Sequence, residues 1–417
     1  MCKDLRSFLN LLEKEGDLKK VEREVDPKFE VAAILNKLSK TKGPAVLFEK
    51  VKGYNIPIAG NICGTRERIS KALKVKPQEI LKKYVKALKN PAPPKTVSSG
   101  PVKEEKITGD INLQKALPVL THYEEDAGPY ITAGVLIYHD PETGCRGTSI
   151  HRLQVKEKNK IVMCIATRPF ADYYTNAEKR GEPLKVAITI GHEPSFLLAS
   201  CAEVPVSFDK LCLVKELRGD DLEMVKCETM DISVPAYGEI TLEGEVYPKV
   251  REQEGPVGEV WGYYSESKGP ILNIKTITHR KNPIYQSILF ASTETLNLMN
   301  IPLEATLYMT IERYVPTIKN VYMDSLFHAV ISIDKKSEGD AKNVLLAALS
   351  LPWIKHAVVV DDDVNIYSWE EVLWAIDTRF QGDKDLVVVS GVPSIACLLY
   401  TSPSPRDLST SRMPSSA

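Results

Sequence analysis

Gly147-Thr148-Ser149-Ile150-His151-Arg152-Leu153-Gln154-Val155 reads as a turn running into a strand. Alternation sets Ile150, Arg152 and Gln154 on one face and His151 and Leu153 on the other. The stretch belongs to a series of short β-rich runs: Ile131–Tyr138, Leu153–Val155, Ile161–Ala166, Val186–Ile190, Leu211–Val214, Ile240–Leu242 and Ile271–Ile277. Their spacing, broken by glycine and proline, predicts a barrel or sandwich, with helices inserted near 170–181 and 194–201.

On either side the texture is different. Asp4 is placed to cap a helix carrying Leu5, Phe8, Leu9 and Leu12 at helical spacing, ended by Gly16. Asp26-Pro27 predicts a second helix running to Leu38. Ala45–Phe48 and Ile56–Gly60 read as strands. The segment 64–88 reads as helical, with Arg66, Arg68, Lys71, Lys74, Lys82 and Lys83 on a solvated face. Residues 90–101 carry proline and glycine at linker density. After the central region, strands are expected at Val330–Ile333, Ala357–Val360 and Leu386–Val389, and helices at 338–349 and 369–377. The expected organisation is mixed α/β: an N-terminal α/β domain over 1–104, a β-rich domain over 105–300 and a C-terminal α/β domain over 301–397. Residues 398–417 turn abruptly rich in Ser, Pro and Arg without periodicity. They are expected to be a non-native tail of translated adapter sequence.

Composition bounds the function. The 417 residues are 43% hydrophobic and 26% charged, enough to bury a sizeable core in two or three domains. With 54 basic and 55 acidic residues, the formal net charge of −1 gives no electrostatic case for nucleic acid or an anionic membrane. No apolar run is long enough to span a bilayer, and the first residues lack a secretory signal's apolar stretch. Eight cysteines contain no CxxC pair, which favours free thiols in a reducing cytoplasm. The seven histidines show no metal-ligand spacing. A small neutral or anionic metabolite is the expected partner.

Two stretches can carry chemistry. Glu254-Gly255-Pro256-Val257-Gly258-Glu259 sets two carboxylates five apart across residues that break a helix, on a tight loop before Val260-Trp261-Gly262-Tyr263-Tyr264. Burial against Trp261 or Tyr263 would raise one carboxyl's pKa while an arginine holds the other ionised, which makes an acid and its partner. A solvated turn with two surface glutamates is the competing reading, and from spacing alone it leads. Arg152, if it faces a barrel interior, needs an anion; if it faces outward, it needs none. Leu222–Thr229, Val234–Ala236 and Glu239–Gly244 read as scaffold strands with charges on a solvent face.

Together with Asp126–Thr132, Gly181–Ala187, Val360–Ile366 and Trp374–Ile376, these stretches resemble, in order and over residues 4–396, the UbiD family of decarboxylases. The resemblance implies a flavin-reductase-like split β-barrel at the centre and a C-terminal domain used in dimerisation. It implies prenylated FMN (prFMN), held with a divalent metal, usually Mn2+, and with K+. It assigns catalysis to Arg152, Glu254 and Glu259, and cofactor contacts to Ser149, Ile150, His151, Arg152 and Arg168. The family reaction removes CO2 from an α,β-unsaturated or aromatic acid through a covalent adduct with the modified flavin, whose chemistry belongs to the cofactor. Arg152 would orient the substrate carboxylate and Glu259 would supply the replacing proton.

Three positions depart from the family's metal cage. Gly147 stands where an asparagine ligand is usual, Lys210 where a glutamate is usual, and Thr167 where a histidine is common. Glycine offers no side-chain donor and an ammonium has no lone pair, so no metal is assigned; Lys210 is expected to face the flavin phosphate instead. The implied partners are a carboxylic acid substrate, a flavin prenyltransferase as cofactor supplier, and a second copy of the chain. A non-catalytic paralogue, acting as flavin module or carboxylase subunit, is the alternative in another class. A glycosidase is disfavoured by the short reach between the two glutamates.

Overall fold

The structure, a computed structural model, describes residues 2–165 and 168–392. The expectations for Thr167 and for the 398–417 tail lie outside the described residues. The described chain divides into two compact units, one containing residues up to 77 with 87–298, the other 78–86 with 299–392.

The first unit opens with helix Leu5–Lys14. The Asp4 carboxylate accepts from the Ser7 amide at 2.9 Å, and Leu5, Phe8, Leu9 and Leu12 are buried. Strand Leu18–Val25 follows and pairs in parallel with Ala45–Val51, which pairs antiparallel with Ile58–Gly60. Tyr285–Ser287 returns to complete this four-stranded sheet. Strand Leu18–Val25 has no counterpart in the sequence reading. Its apolar residues Leu18, Val21 and Val25 sit three and four apart, a helical spacing, and most of its other side chains are exposed.

Several expectations in this region need correction. The second helix spans Glu30–Lys40 rather than starting at Asp26-Pro27. Asp26 closes a turn there, accepting from the Lys28 amide at 2.9 Å, while Glu30 accepts from the Asp26 amide at 2.8 Å. The segment 64–88 is two helices, Arg66–Leu73 and Ile80–Lys89. Arg68 is not on a solvated face: it is 1% exposed and forks onto Asp17 at 3.0 and 3.2 Å. The proline-rich stretch contains strand Lys95–Val97, paired with Glu223–Lys226.

The centre of the unit is a nine-stranded sheet. Its order is Tyr130–Ile131, Leu153–Val155, Lys160–Met163, Tyr264–His279, Ile240–Gly258, Leu184–Ile190, Val135–His139, Arg146–Ile150, with Glu105–Thr108 added on Tyr264–His279. Arg146–Ile150 and Leu153–Val155 lie near opposite ends of that order, yet only His151 and Arg152 separate them in the chain. The sheet must therefore curl until its ends nearly meet, giving a half-closed barrel. Leu136, Leu153, Ile188, Leu242 and Leu272 belong to one buried hydrophobic cluster on this sheet.

Helices Phe170–Arg180 and Pro194–Ser200 stand where expected. Leu211–Val214 is not a strand. Lys210–Leu213 is a 3-10 turn begun by Asp209, which accepts from the Leu211 amide, and it runs into helix Val214–Arg218. The charges of Glu239 and Glu243 are also buried rather than solvated. Glu239 takes both arms of Arg6 at 2.8 Å, with Arg280 at 3.3 Å, and Glu243 accepts from the amides of Glu228 and Thr229. Buried carboxylates persist only when paired in this way.

The second unit holds strands Ile318–Ser325, His328–Ile333 and His356–Asp361, with helices Asp340–Leu349 and Trp369–Arg379. Val330, Val360, Val364 and Val372 form its small core. Leu386–Val389 forms no strand, and Val388 is 78% exposed.

Candidate active site

The two expected acidic residues do not lie on a free loop. Glu254 is inside the long strand Ile240–Gly258, opposite Ser267, and Val257 is opposite Ser265. Three residues on one strand thus oppose two on the other, a bulge with one extra residue. In a regular strand, side chains five apart point to opposite faces. The extra residue flips that parity, so Glu254 and Glu259 turn to the same side. Gly255 makes the bulge possible. Its φ is +89°, and a Cβ there would lie 2.7 Å from the Ser265 carbonyl oxygen and 2.8 Å from Glu266 Cα. Glu259 starts the hairpin turn, exchanging backbone bonds with Tyr263 and Gly262.

Arg152 comes from the two-residue step between the sheet's ends and meets both carboxylates. Its Nε donates to Glu254 Oε1 at 2.9 Å and its Nη2 to Glu254 Oε2 at 2.5 Å. Nη1 donates to Ser265 Oγ at 3.0 Å and is ion-paired with Glu259. Ser265 Oγ in turn donates to Glu259 Oε1 at 2.7 Å, and Ser267 Oγ to Glu254 Oε2 at 3.1 Å. The Glu254 side chain is fully buried, Arg152 nearly so, and Glu259 is 15% exposed. The two open alternatives are thereby decided: the arginine faces inward and the glutamates are its anions. Two serine hydroxyls, from Ser265 and Ser267, bond the two carboxylates.

A second layer fixes the bulge. Gln154 accepts from the Gly255 amide at 3.3 Å and donates to the Ala127 carbonyl at 3.1 Å. The Ala127 amide donates to the Pro256 carbonyl at 2.7 Å. Asp126 accepts from the amides of Gly258 at 3.1 Å and Tyr123 at 3.0 Å. Burial pushes the Asp126 carboxyl up to about 6, against the pull of those amides and of Arg152. Sequence reasoning quoted Asp126 and Gln154 without giving them a role, and it missed Ser265 and Ser267. The one available signal was their two-residue spacing, small polar side chains on one face of a strand.

Beside this cluster lie the expected cofactor contacts. His151 is buried, its Nε2 has no hydrogen-bond partner, and burial together with the Lys210 charge pushes its pKa down to about 4. Ser149 hydrogen-bonds with the Tyr138 hydroxyl at 3.0 Å, and Ile150 is half-buried. Lys210 donates to the Ser200 carbonyl at 3.5 Å. Arg168 is set apart: its side chain is 76% exposed and pairs with Asp172 at 3.3 Å.

Three stretches of the chain match the family models of one enzyme, 3-octaprenyl-4-hydroxybenzoate carboxy-lyase: its N-terminal domain over 9–88, its Rift-related domain over 95–293 and its C-terminal domain over 296–417. The chain belongs to the UbiD family. Among its UbiD relatives, the anhydromevalonate phosphate decarboxylase of Methanothermobacter thermautotrophicus is 37% identical, over 93% of this chain and 90% of that one. The structure of an evolved dimeric form of the UbiD-class enzyme HmfF from Pelotomaculum thermopropionicum, in complex with prFMN, matches with a TM-score of 0.91 and 43% identity. That match covers 93% of this chain and 92% of HmfF. The vanillic acid decarboxylase of Sedimentibacter hydroxybenzoicus matches with a TM-score of 0.86 and 31% identity, over 94% and 88% of the two chains. This UbiD protein is a decarboxylase with prFMN as its cofactor, and the non-catalytic alternative is not favoured.

The residues present fit the flavin and not the metal. The unpartnered His151 nitrogen and the lightly bonded Lys210 ammonium offer donors next to Arg152. For a divalent cation the donors are wrong. Among the described residues no group of three or more His, Cys, Asp or Glu is placed to hold one. A side chain at 147 has no room either, since a Cβ on Gly147 would lie 2.2 Å from Tyr138 Cε2.

Proposed function

We propose that the chain removes CO2 from a small α,β-unsaturated or aromatic acid bound at Arg152, with Glu259 as the proton donor. The observation that carries this reading is the single guanidinium shared by Glu254, Glu259 and Ser265. Ser149, Ile150, His151, Arg152 and Lys210 would hold the prFMN, with Arg168 at the outer edge. When bound, it supplies a place for the electron pair left behind as CO2 departs.

The protein's part is positioning and proton transfer. Glu254 takes two arms of Arg152 and fixes the guanidinium plane. Nη1 is then left as the arm for a substrate carboxylate, which would replace Glu259 there. Released from the guanidinium, Glu259 keeps its bond from Ser265 and holds the proton that goes to the carbon losing CO2. Glu259 takes up that proton from solvent through its exposed edge when the substrate carboxylate displaces it, and returns deprotonated to Arg152 after product release.

The wider reading is a cytoplasmic enzyme divided into domains over 1–104, 105–300 and 301–397, supplied with cofactor by a flavin prenyltransferase. It works as a homodimer or larger homo-oligomer through the C-terminal domain. Leu346, Trp369, Leu373 and Trp374 on that unit are each more than 40% exposed, an apolar surface suited to a second copy. No described helix is long and apolar enough to cross a membrane.

The test is a panel of unsaturated, aromatic and heteroaromatic acids, with CO2 release measured on protein made with and without a flavin prenyltransferase. Release that needs the prenyltransferase supports the reading. A flavin-loaded protein inert on every class in both directions, decarboxylation and CO2 exchange, counts against it.

A further inference from the structure

We infer that Lys210 anchors the cofactor phosphate directly, so that flavin binding here does not depend on a divalent cation; this rests on the flavin-dependent reading above. The turn Lys210–Leu213 and the helix Pro194–Ser200 both pack on strand Arg146–Ile150, which leads straight into His151 and Arg152. Lys210 thus stands on a turn packed against the strand that leads into the cofactor contacts.

Its ammonium is poorly provided for. It makes one long hydrogen bond, 3.5 Å to the Ser200 carbonyl, and no salt bridge among the described residues. Burial pulls its pKa down, with Glu203 and Cys201 acting in the other direction. Next to it the neutral His151 has an unpartnered nitrogen. A buried ammonium with one long hydrogen bond, influenced by the Glu203 carboxylate and set beside an unsatisfied imidazole, is stabilised by a further anion. A phosphate monoester, with its three acceptor oxygens and a charge of about −1.5 to −2 at neutral pH, fits both groups. A lysine binds such a group as a point charge and needs no forked geometry.

Position 147, on that same strand, excludes the alternative. Where a metal-ligating side chain would leave position 147, the Tyr138 ring occupies the space, with its Cε2 2.2 Å from any Cβ placed there. That ring is held by Ser149 at 3.0 Å and packs edge-on against Phe170, ring centres 4.8 Å apart. Restoring a ligand at 147 would require moving a packed aromatic ring, not only changing one residue. Lysine in place of a carboxylate and a phenol ring in place of a second ligand are therefore one coordinated arrangement.

The experiment measures FMN and riboflavin affinity by flavin fluorescence on the full chain after EDTA treatment, with bound manganese determined by elemental analysis. The wild-type protein is expected to bind FMN tightly with substoichiometric manganese, and to prefer FMN over riboflavin. Lys210→Met is expected to weaken FMN at least tenfold while leaving riboflavin unchanged, which removes the preference; Lys210→Arg should recover part of it. An unchanged riboflavin affinity shows that the Met variant is folded. Stoichiometric manganese whose removal releases FMN, or a Met variant that still prefers FMN, would overturn the inference. Neither result touches the decarboxylation assay: a metal-dependent enzyme that releases CO2 defeats only this inference, and a lysine-anchored flavoprotein without turnover defeats only the proposed function.

Discussion

Ser265 donates to Glu259 and accepts from Arg152, so its hydroxyl bridges the proposed proton donor and the guanidinium. Losing one hydrogen bond to a charged group costs about 1.5–3 kcal/mol. Ser265→Ala should therefore lower kcat by about tenfold or more, displace the pH profile of kcat and leave flavin content unchanged, whereas Ser265→Thr should restore the profile. A profile that does not move would make Ser265 merely structural. Asp126 gives a stability prediction. Its carboxyl is raised from 3.8 to about 6 in the folded chain, chiefly by burial. The folded state therefore binds more protons between those values, and stability falls as pH rises from about 4 through about 6. Asp126→Asn carries no such charge, so its stability relative to wild type should improve from pH 4 to pH 7 in thermal melts. A difference that stays flat with pH would show that Asp126 titrates normally.

At the scale of elements, the strand bulge at Gly255 does most to build the site. The sequence made the acidic pair visible and placed it beside an aromatic strand, yet its hydrogen-bonding as part of that strand was not legible. Glycine and proline read locally as a loop, and only the partner strand's Ser265 and Ser267 reveal one extra residue. Leu18–Val25 was missed for a related reason, since its apolar spacing imitates a helix while sheet pairing decides its form. Arg68 was misplaced because a basic helix usually faces solvent, and its partner Asp17 is fifty-one residues away in the chain. The bulge yields a comparison. Gly255 and Gly144 both have positive φ, but a Cβ at Gly144 meets nothing within 4 Å. Gly144→Ala should cost about 1–2 kcal/mol from backbone strain alone. Gly255→Ala adds a backbone clash and should lower Tm further while abolishing turnover. Equal Tm losses would show that the close approach is not essential.

For the molecule as a whole, the mixed α/β class and the β-rich centre were legible in the rhythm of short runs, and the ordered motifs pointed to the family. What ties the first unit together was not legible. Buried Glu239 joins helix Leu5–Lys14 through Arg6 to the long central strand and, through Arg280, to the chain returning toward the N-terminal sheet. Removing one partner from such a buried cluster costs about 3–5 kcal/mol. Glu239→Gln should therefore lower the denaturation midpoint markedly, with no specific change in flavin preference. A midpoint within error of wild type would mean that Arg6 and Arg280 are satisfied without it.

Glu259 is the proposed group that returns a proton to the substrate. The most direct measurement is turnover by the prFMN-loaded Glu259→Gln protein on an acid the wild type decarboxylates, with flavin absorbance recorded on the same sample. The expected result is full flavin content with turnover reduced by about a hundredfold or more, the usual scale for losing a general acid. Flavin-loaded Glu259→Gln releasing CO2 and product at the wild-type rate would contradict it.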